Sequence, residues 1–180
     1  MKTLLITVLL IICLLYSCSE DKTSIEYNCE NFTITVPEYM IKSQGRTEDS
    51  FAEFVIDTTK NTKDILNVVI YKDDIKSYGK GKATLSTYYK FVADDILDKT
   101  LESGSLNAPK EIKINGLPAM IFEITGSYHE NKQNYEYLFV SVVIESPDNF
   151  YEITTWTLFE SSEKYKSTME DIMFSFKLVE

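Results

Sequence analysis

His129 is the only histidine in the chain, so a Ser-His-Asp or Cys-His relay would have to assemble on that one imidazole, with Cys29 or a serine carried to it. It stands in Gly126-Ser-Tyr-His-Glu-Asn-Lys-Gln-Asn134, a polar stretch with the composition of a hairpin loop. Exposed tips seldom hold a nucleophile and a base within hydrogen-bond reach. His129 is therefore read as a solvated side chain, and no catalytic residue is assigned. Soft metals need several Cys or His ligands, which this chain lacks, so no metal and no cofactor are expected.

Carboxylates could do other chemistry. Asp73-Asp74 and Glu170-Asp171 are adjacent pairs, but with 28 acidic residues in 180 such pairs arise by chance. Asp94, Asp95 and Asp98 share one helical segment and could be imagined around a cation, although a water-facing acidic face explains them equally. The loops contain no EF-hand pattern and no phosphate-cradling glycine motif. Acids alone leave one enzymatic alternative open, an envelope hydrolase or glycan-processing enzyme, because spacing in space decides that chemistry.

Cys18 offers a chemistry with a clearer signal. Lys2 is followed by an apolar run from Leu4 to Leu15, then by Tyr16-Ser17-Cys18. A helix crossing the hydrocarbon core needs about 20 apolar residues, whereas runs of about 10–14 suit a signal peptide. Leu15-Tyr-Ser-Cys18 resembles the lipobox of bacterial lipoproteins, with an aliphatic residue three before the cysteine and a small residue next to it. That resemblance implies an export signal at 1–17, cleavage before Cys18, a diacylglycerol on its sulfur and a further acyl chain on the new amino group. Two chains suffice for stable anchoring, at about 0.8 kcal/mol per buried methylene. Residues 18–27 then read as the lipidated cysteine and a polar tether. Ser19-Glu20-Asp21 is similar to the acidic stretch of surface-exposed lipoproteins of Bacteroidota, and otherwise is a solvated linker. The implied place is the cell envelope, at the outer membrane and facing the periplasm or the surface. With Cys13 discarded and Cys18 blocked, Cys29 has no intramolecular partner and is expected to be a partly buried structural thiol.

The formal net charge is −10, and removal of Lys2 makes the mature chain more acidic still. Nucleic-acid binding needs clustered Lys and Arg, and Arg46 is the only arginine. No nucleic-acid partner is expected. The same excess of acid disfavours docking of a protein face on anionic lipid.

The elements that would position these residues follow from periodicity. Phe32, Ile34 and Val36 alternate with threonines up to Pro37, and two further strands span Phe51 to Asp57 and Ile65 to Tyr71, joined by a turn at Lys60-Asn-Thr-Lys63. Thr84 can cap a helix in which Leu85, Tyr88, Val92 and Ile96 recur, running through Leu101 with Gly104 as a stop. Asn115-Gly116 signals a type I′ hairpin between Ile112/Ile114 and Met120/Phe122/Ile124. The stretch Gly126 to Asn134 is expected to be a loop. Tyr135 to Ile144 is apolar on both faces, so the sheet should be covered on both sides. Ser146-Pro-Asp-Asn149 turns the chain into a strand from Tyr151 to Leu158. A second helix begins at Ser161 or Ser162, and Phe174, Phe176 and Leu178 alternate in a last strand.

This order of elements from Asn28 to Glu180 resembles the PsbP-like superfamily. The suggestive segments are Asn31-Phe-Thr-Ile-Thr-Val-Pro37, Ile114-Asn-Gly-Leu-Pro-Ala119 and Tyr165 to Phe176. The resemblance implies an α+β fold for residues 28–180: a largely antiparallel sheet of about six to eight strands with helices on both faces, an α/β/α sandwich. These are turn and core positions and carry no site. Members of the superfamily act mostly by binding other proteins, so the expected function is a non-enzymatic binding or accessory protein of the envelope with a protein partner. The metal-linked histidines of the photosystem subunit have no counterpart here.

The aromatic content gives the best handle on that partner. With 12 Tyr, 10 Phe and a single Trp, the chain is rich in side chains that bury area while keeping a polar tip. Tyr128, His129, Asn131 and Gln133 in the presumed loop, and Tyr151 and Trp156 in a nearby strand, are the candidate contact residues. Structural packing within strands is the competing explanation.

Overall fold

The computed structural model describes residues 23–43, 50–57, 59, 64–78, 83–130 and 132–179. Cys18, the export segment, the Lys60–Lys63 turn and Asn131 lie outside the described residues.

Eleven strands form among the described residues: β1 Ser24–Cys29, β2 Phe32–Pro37, β3 Met40–Lys42, β4 Ala52–Ile56, β5 Leu66–Asp74, β6 Ser103–Leu106, β7 Lys110–Ile114, β8 Leu117–Glu130, β9 Gln133–Glu145, β10 Asn149–Leu158 and β11 Lys177–Leu178. Helix α1 spans Leu85–Asp95 and passes directly into a π-helical turn, Ile96–Thr100, while α2 spans Ser162–Phe174. The large sheet has the order β3-β4-β5-β10-β9-β8-β6, with β7 also pairing β8, and the small one has the order β1-β2-β11. Every pairing is antiparallel. The expected architecture holds: α+β, a largely antiparallel sheet, and one helix on each face.

Strand parity explains the two cores. On β10, Tyr151 and Ile153 point to one side and Phe150 to the other, and β9 likewise sends Val140 and Val142 one way and Phe139 and Val143 the other. The first side meets α2 and the small sheet through Phe32, Ile34, Tyr165, Met169 and Phe176. The second side meets α1 through Tyr88, Tyr89, Val92 and Ile96. A strand buried on both faces needs apolar residues at successive positions, which is why Leu138 to Ile144 reads as an almost unbroken apolar run.

Local signals act as expected at several ends. Thr84 and Thr87 exchange bonds, the Thr84 hydroxyl accepting from the Thr87 amide at 3.2 Å and the Thr87 hydroxyl from the Thr84 amide at 2.8 Å, which satisfies amides that have no partner inside the helix. Asn115 and Gly116 have φ of 48° and 88°, as a type I′ turn requires.

Four expectations are corrected. Gly126 to Asn134 is not a loop: β8 runs to Glu130 and β9 starts at Gln133, with Tyr128 opposite Tyr135 and His129 opposite Asn134. The stretch reads as polar because toward its end successive residues are exposed, Tyr128 and His129 on one strand and Gln133 and Asn134 on the other. Gly104 lies in β6 opposite Gly126, and the helix has already ended at Thr100. Phe174 belongs to α2 and is 47% exposed, so the last strand is only Lys177–Leu178. Finally, Ser24–Tyr27, assigned to the tether, pair with β2 and are part of the small sheet. Alternation there was hidden because most of β1 is exposed on both faces.

Candidate functional site

The α1 side of the large sheet is only partly filled. Helix α1 covers β8, β9 and part of β10, and beside it a cavity of about 950 Å³ opens between the helix and the strands. Its floor comes from alternate residues of adjacent strands. Tyr71 lies opposite Glu152, Val69 opposite Thr154, and Thr154 opposite Ser141. Trp156 lies opposite Phe139. Because side chains alternate along a strand, Asp73, Glu152, Thr154, Trp156, Tyr137 and Tyr128 all reach the same face, and all line the cavity. The opposite wall is helical: Tyr88, Phe91, Val92, Asp95, Ile96, Lys99 and Thr100.

The π-helical turn belongs to that wall. A π turn adds about one residue to the turn, is rare, and is found frequently at functional sites. Here it places Ile96 and Lys99 along the groove and delivers Leu101 against the glycine pair of β6 and β8.

The polar groups are individually accounted for. The Asp73 carboxylate accepts from the Tyr88 hydroxyl at 2.5 Å and the Tyr78 hydroxyl at 3.1 Å, both through Oδ2. Burial and the bond to Asp73 push the Tyr88 phenol far above its ordinary range, and burial with the neighbouring Asp73 charge moves Tyr78 to about 12. Asp95 is paired with Lys99 one turn on. Glu152 accepts from Thr154 at 2.8 Å through Oε1, and Thr154 is itself bonded to Ser141 at 2.9 Å. Desolvation pushes Glu152 up to about 7, opposed by the Thr154 bond and reinforced by the Asp95 and Asp73 charges. The aromatic wall is continuous, with Phe139 and Trp156 stacked at 6.0 Å and Tyr137 6.2 Å from Phe139. Among the described residues, no three His, Cys, Asp or Glu side chains converge in a metal-binding group.

Of the residues singled out from sequence, Tyr128 and Trp156 are brought together at this cavity. His129 and Gln133 are exposed at the end of the β8–β9 hairpin, away from the floor, and Asn131 lies outside the described residues. Tyr151 is corrected: it is fully buried on the opposite face, packed on Phe32 and Phe176 and accepting from Asn31 Nδ2 at 2.7 Å. Trp156 and Tyr151 differ by an odd number of positions, so one strand sends them to opposite faces. Asp94 and Asp98 are exposed as expected of a water-facing set, whereas Asp95 turns to the groove. Cys29 is buried, and burial raises its thiol pKa.

No protein-family model matches the chain, and no curated protein matches it in sequence. Solved structures do. The Ran-binding protein Mog1p of Saccharomyces cerevisiae superposes with a TM-score of 0.63 at 9% identity, over 89% of this chain and 97% of that one. The cyanobacterial PsbP protein of Synechocystis gives 0.58 at 14% identity, over 92% and 99%. LpqN of Mycobacterium tuberculosis, described as involved in cell envelope biogenesis, gives 0.56 at 14% identity, over 88% and 90%. The chain has the PsbP-like fold. At these identities the likeness concerns the backbone arrangement alone, since a shared fold does not carry a function with it.

Sequence reasoning missed Asp73 and Glu152 as members of one site. Glu152 alternates with Tyr151 and Ile153 and looks like an ordinary outward residue of a strand. A signal existed: a carboxylate in the middle of a strand predicted to be covered on both faces must be buried, and buried carboxylates are uncommon without a task.

Proposed function

We propose that this protein is a lipid-anchored component of the bacterial cell envelope that acts by binding, without catalysis, and that the groove beside α1 is its binding site. The observation that carries the reading is the groove itself, a cavity of about 950 Å³ walled by aromatic side chains with a few placed polar groups, the usual composition of a ligand site. The anchor rests on the lipobox resemblance around Cys18. No helix among the described residues is long and apolar enough to cross a membrane. The LpqN structure, described as an envelope-biogenesis protein, shares the fold and so is compatible with such a role.

A glycan-processing hydrolase is the second reading, favoured by a carboxyl at about 7 beside two further acids. The hydrogen bonding argues against it. Asp73 is held by two phenols, so it does not stand free to attack opposite Glu152.

The binding reading is tested by capturing partners from detergent-solubilised envelopes with the full chain and with Thr100→Trp, which fills the groove mouth from an exposed helical position. A partner retained by the parent and lost from Thr100→Trp, while the His129 to Asn134 tip beyond the Tyr128–Tyr135 pair can be replaced by Asn-Gly without effect, supports the groove. Equal capture by Thr100→Trp overturns it. The anchor has its own test: Cys18→Ala abolishes incorporation of labelled fatty acid, and labelling at the parental level would refute the lipobox assignment.

A further inference from the structure

The groove has a chemical character beyond being a cavity. Its charged groups are Asp73 on β5, Glu152 on β10, and Asp95 and Lys99 on the helical wall; β8 and β9 contribute Tyr128, Tyr137 and Phe139 without charge. Three carboxylates face one amine. The single cation is an exposed lysine already paired to Asp95, and such surface pairs contribute little. The remaining excess of negative charge shares the cavity with the rings of Trp156, Phe139 and Tyr137, and aromatic faces attract cations. Val92, Ile96 and Leu101 give the same cavity an apolar lining.

We propose that the groove takes an organic cation, an ammonium or guanidinium group carried on a short apolar stem, with Glu152 as its counter-charge and the Trp156 wall beside it. This rests on the binding reading above and specifies the ligand class for that site. The Glu152 carboxylate, which lines the cavity, supplies the acceptor. Thr154 and Ser141 behind it hold the carboxylate in place through Oε1. A bare metal ion fits less well, because these acids do not converge in a metal-ligating group among the described residues. An anion would meet three carboxylates. Free amines and the basic side chains of a peptide share the recognising chemistry, and the probes below separate them.

Trp156 is the only tryptophan, so its fluorescence reports directly on the groove. The full chain, reconstituted in nanodiscs of zwitterionic lipid with empty nanodiscs as control, is titrated with hexylamine, hexylguanidine, hexanol, hexanoate and a blocked tri-lysine peptide. Hexylamine and hexylguanidine are expected to bind at least tenfold more tightly than hexanol, with hexanoate weakest. Tighter binding of the peptide than of hexylamine assigns the cation to a protein segment, and the reverse order assigns it to a free amine. Glu152→Gln weakens hexylamine at least tenfold while leaving hexanol unchanged, and Glu152→Asp, which keeps the charge, recovers part of the loss. Hexylamine binding rises about tenfold from pH 6 to pH 8, the change in ionised Glu152 for a midpoint of about 7. Equal binding of hexanol and hexylamine overturns the proposal while leaving the groove a binding site. Unchanged hexylamine affinity in a folded Glu152→Gln variant overturns it as well, as does the absence of binding by every cationic probe. Loss of partner capture by Thr100→Trp is a separate result and speaks only to the broader reading.

Discussion

The Tyr88 hydroxyl donates to Asp73 Oδ2 at 2.5 Å and ties helix α1 to strand β5 across the groove floor. The ring of the same tyrosine stacks on Phe150 at 4.6 Å with an interplanar angle of 11°, so Tyr88 joins the α1 core to the polar edge of the site. Tyr88→Phe keeps the stack and removes only the hydroxyl. A hydrogen bond to a charged group contributes roughly 1.5–3 kcal/mol, and urea denaturation should show a loss of that order. Tyr78→Phe, which removes the longer bond at 3.1 Å, should cost less. Equal stability of Tyr88→Phe and the parent would mean that solvent replaces the bond.

Glu152 makes stability depend on pH in a direction opposite to that of most paired carboxylates. Its folded value of about 7 stands above the 4.5 of an ordinary glutamate carboxyl. Below about pH 4.5 both states hold the proton and no penalty arises. Between 4.5 and 7 the unfolded chain releases it while the folded chain keeps it, so this group's contribution falls by on the order of 3 kcal/mol as pH rises and stays lost above 7. Glu152→Gln removes that penalty while keeping an acceptor for Thr154. The difference in denaturation midpoint between variant and parent should grow from near zero at pH 4.5 to its full size by pH 8, and a difference independent of pH would contradict the assignment.

Two glycines are needed for different reasons. A Cβ on Gly126 would lie 2.5 Å from the Ser103 carbonyl oxygen and 2.6 Å from Leu101 Cδ1, so Gly126→Ala must push β6 and the π-helical turn away from β8 and should cost about 1–3 kcal/mol. Gly116 has open space around it but φ of 88°, so Gly116→Ala should cost about 1 kcal/mol through the backbone alone. Hydrogen exchange separates the two: Gly126→Ala should expose the β6 amides, and Gly116→Ala should leave them protected.

Phe32 is the centre of the other core, with ring centroids of Phe176, Phe51 and Tyr151 at 5.2, 5.3 and 5.5 Å. Phe32→Ala should remove about 3–5 kcal/mol. Trp156 lies on the far side of the sheet, so its fluorescence maximum in the folded variant should be unchanged. A shifted maximum would mean that the two cores are mechanically coupled.

How much was legible in the sequence follows physical range. The capping Thr84, the Asn115-Gly116 turn and the apolar stripe of the first helix act over a few residues, and the structure places them where periodicity and turn chemistry put them. The double-sided apolar run from Leu138 to Ile144 even foretold helices on both faces. Strands whose own residues carry no stripe were lost: β1 and β6 are mostly exposed, and their pairing is decided by β2 and β8, not by their own sequence. The polar hairpin tip was misread for the same reason, since alternation means nothing where both faces are wet. The groove needed the tertiary structure entirely. Tyr71, Asp73, Glu152, Thr154 and Trp156 are ordinary strand residues in isolation, and only the register of β5 against β10 and the parity of each strand bring them under one helix. Tyr151 and Glu152 are neighbours in sequence, and the pleat alone sent one into the core and the other into the site.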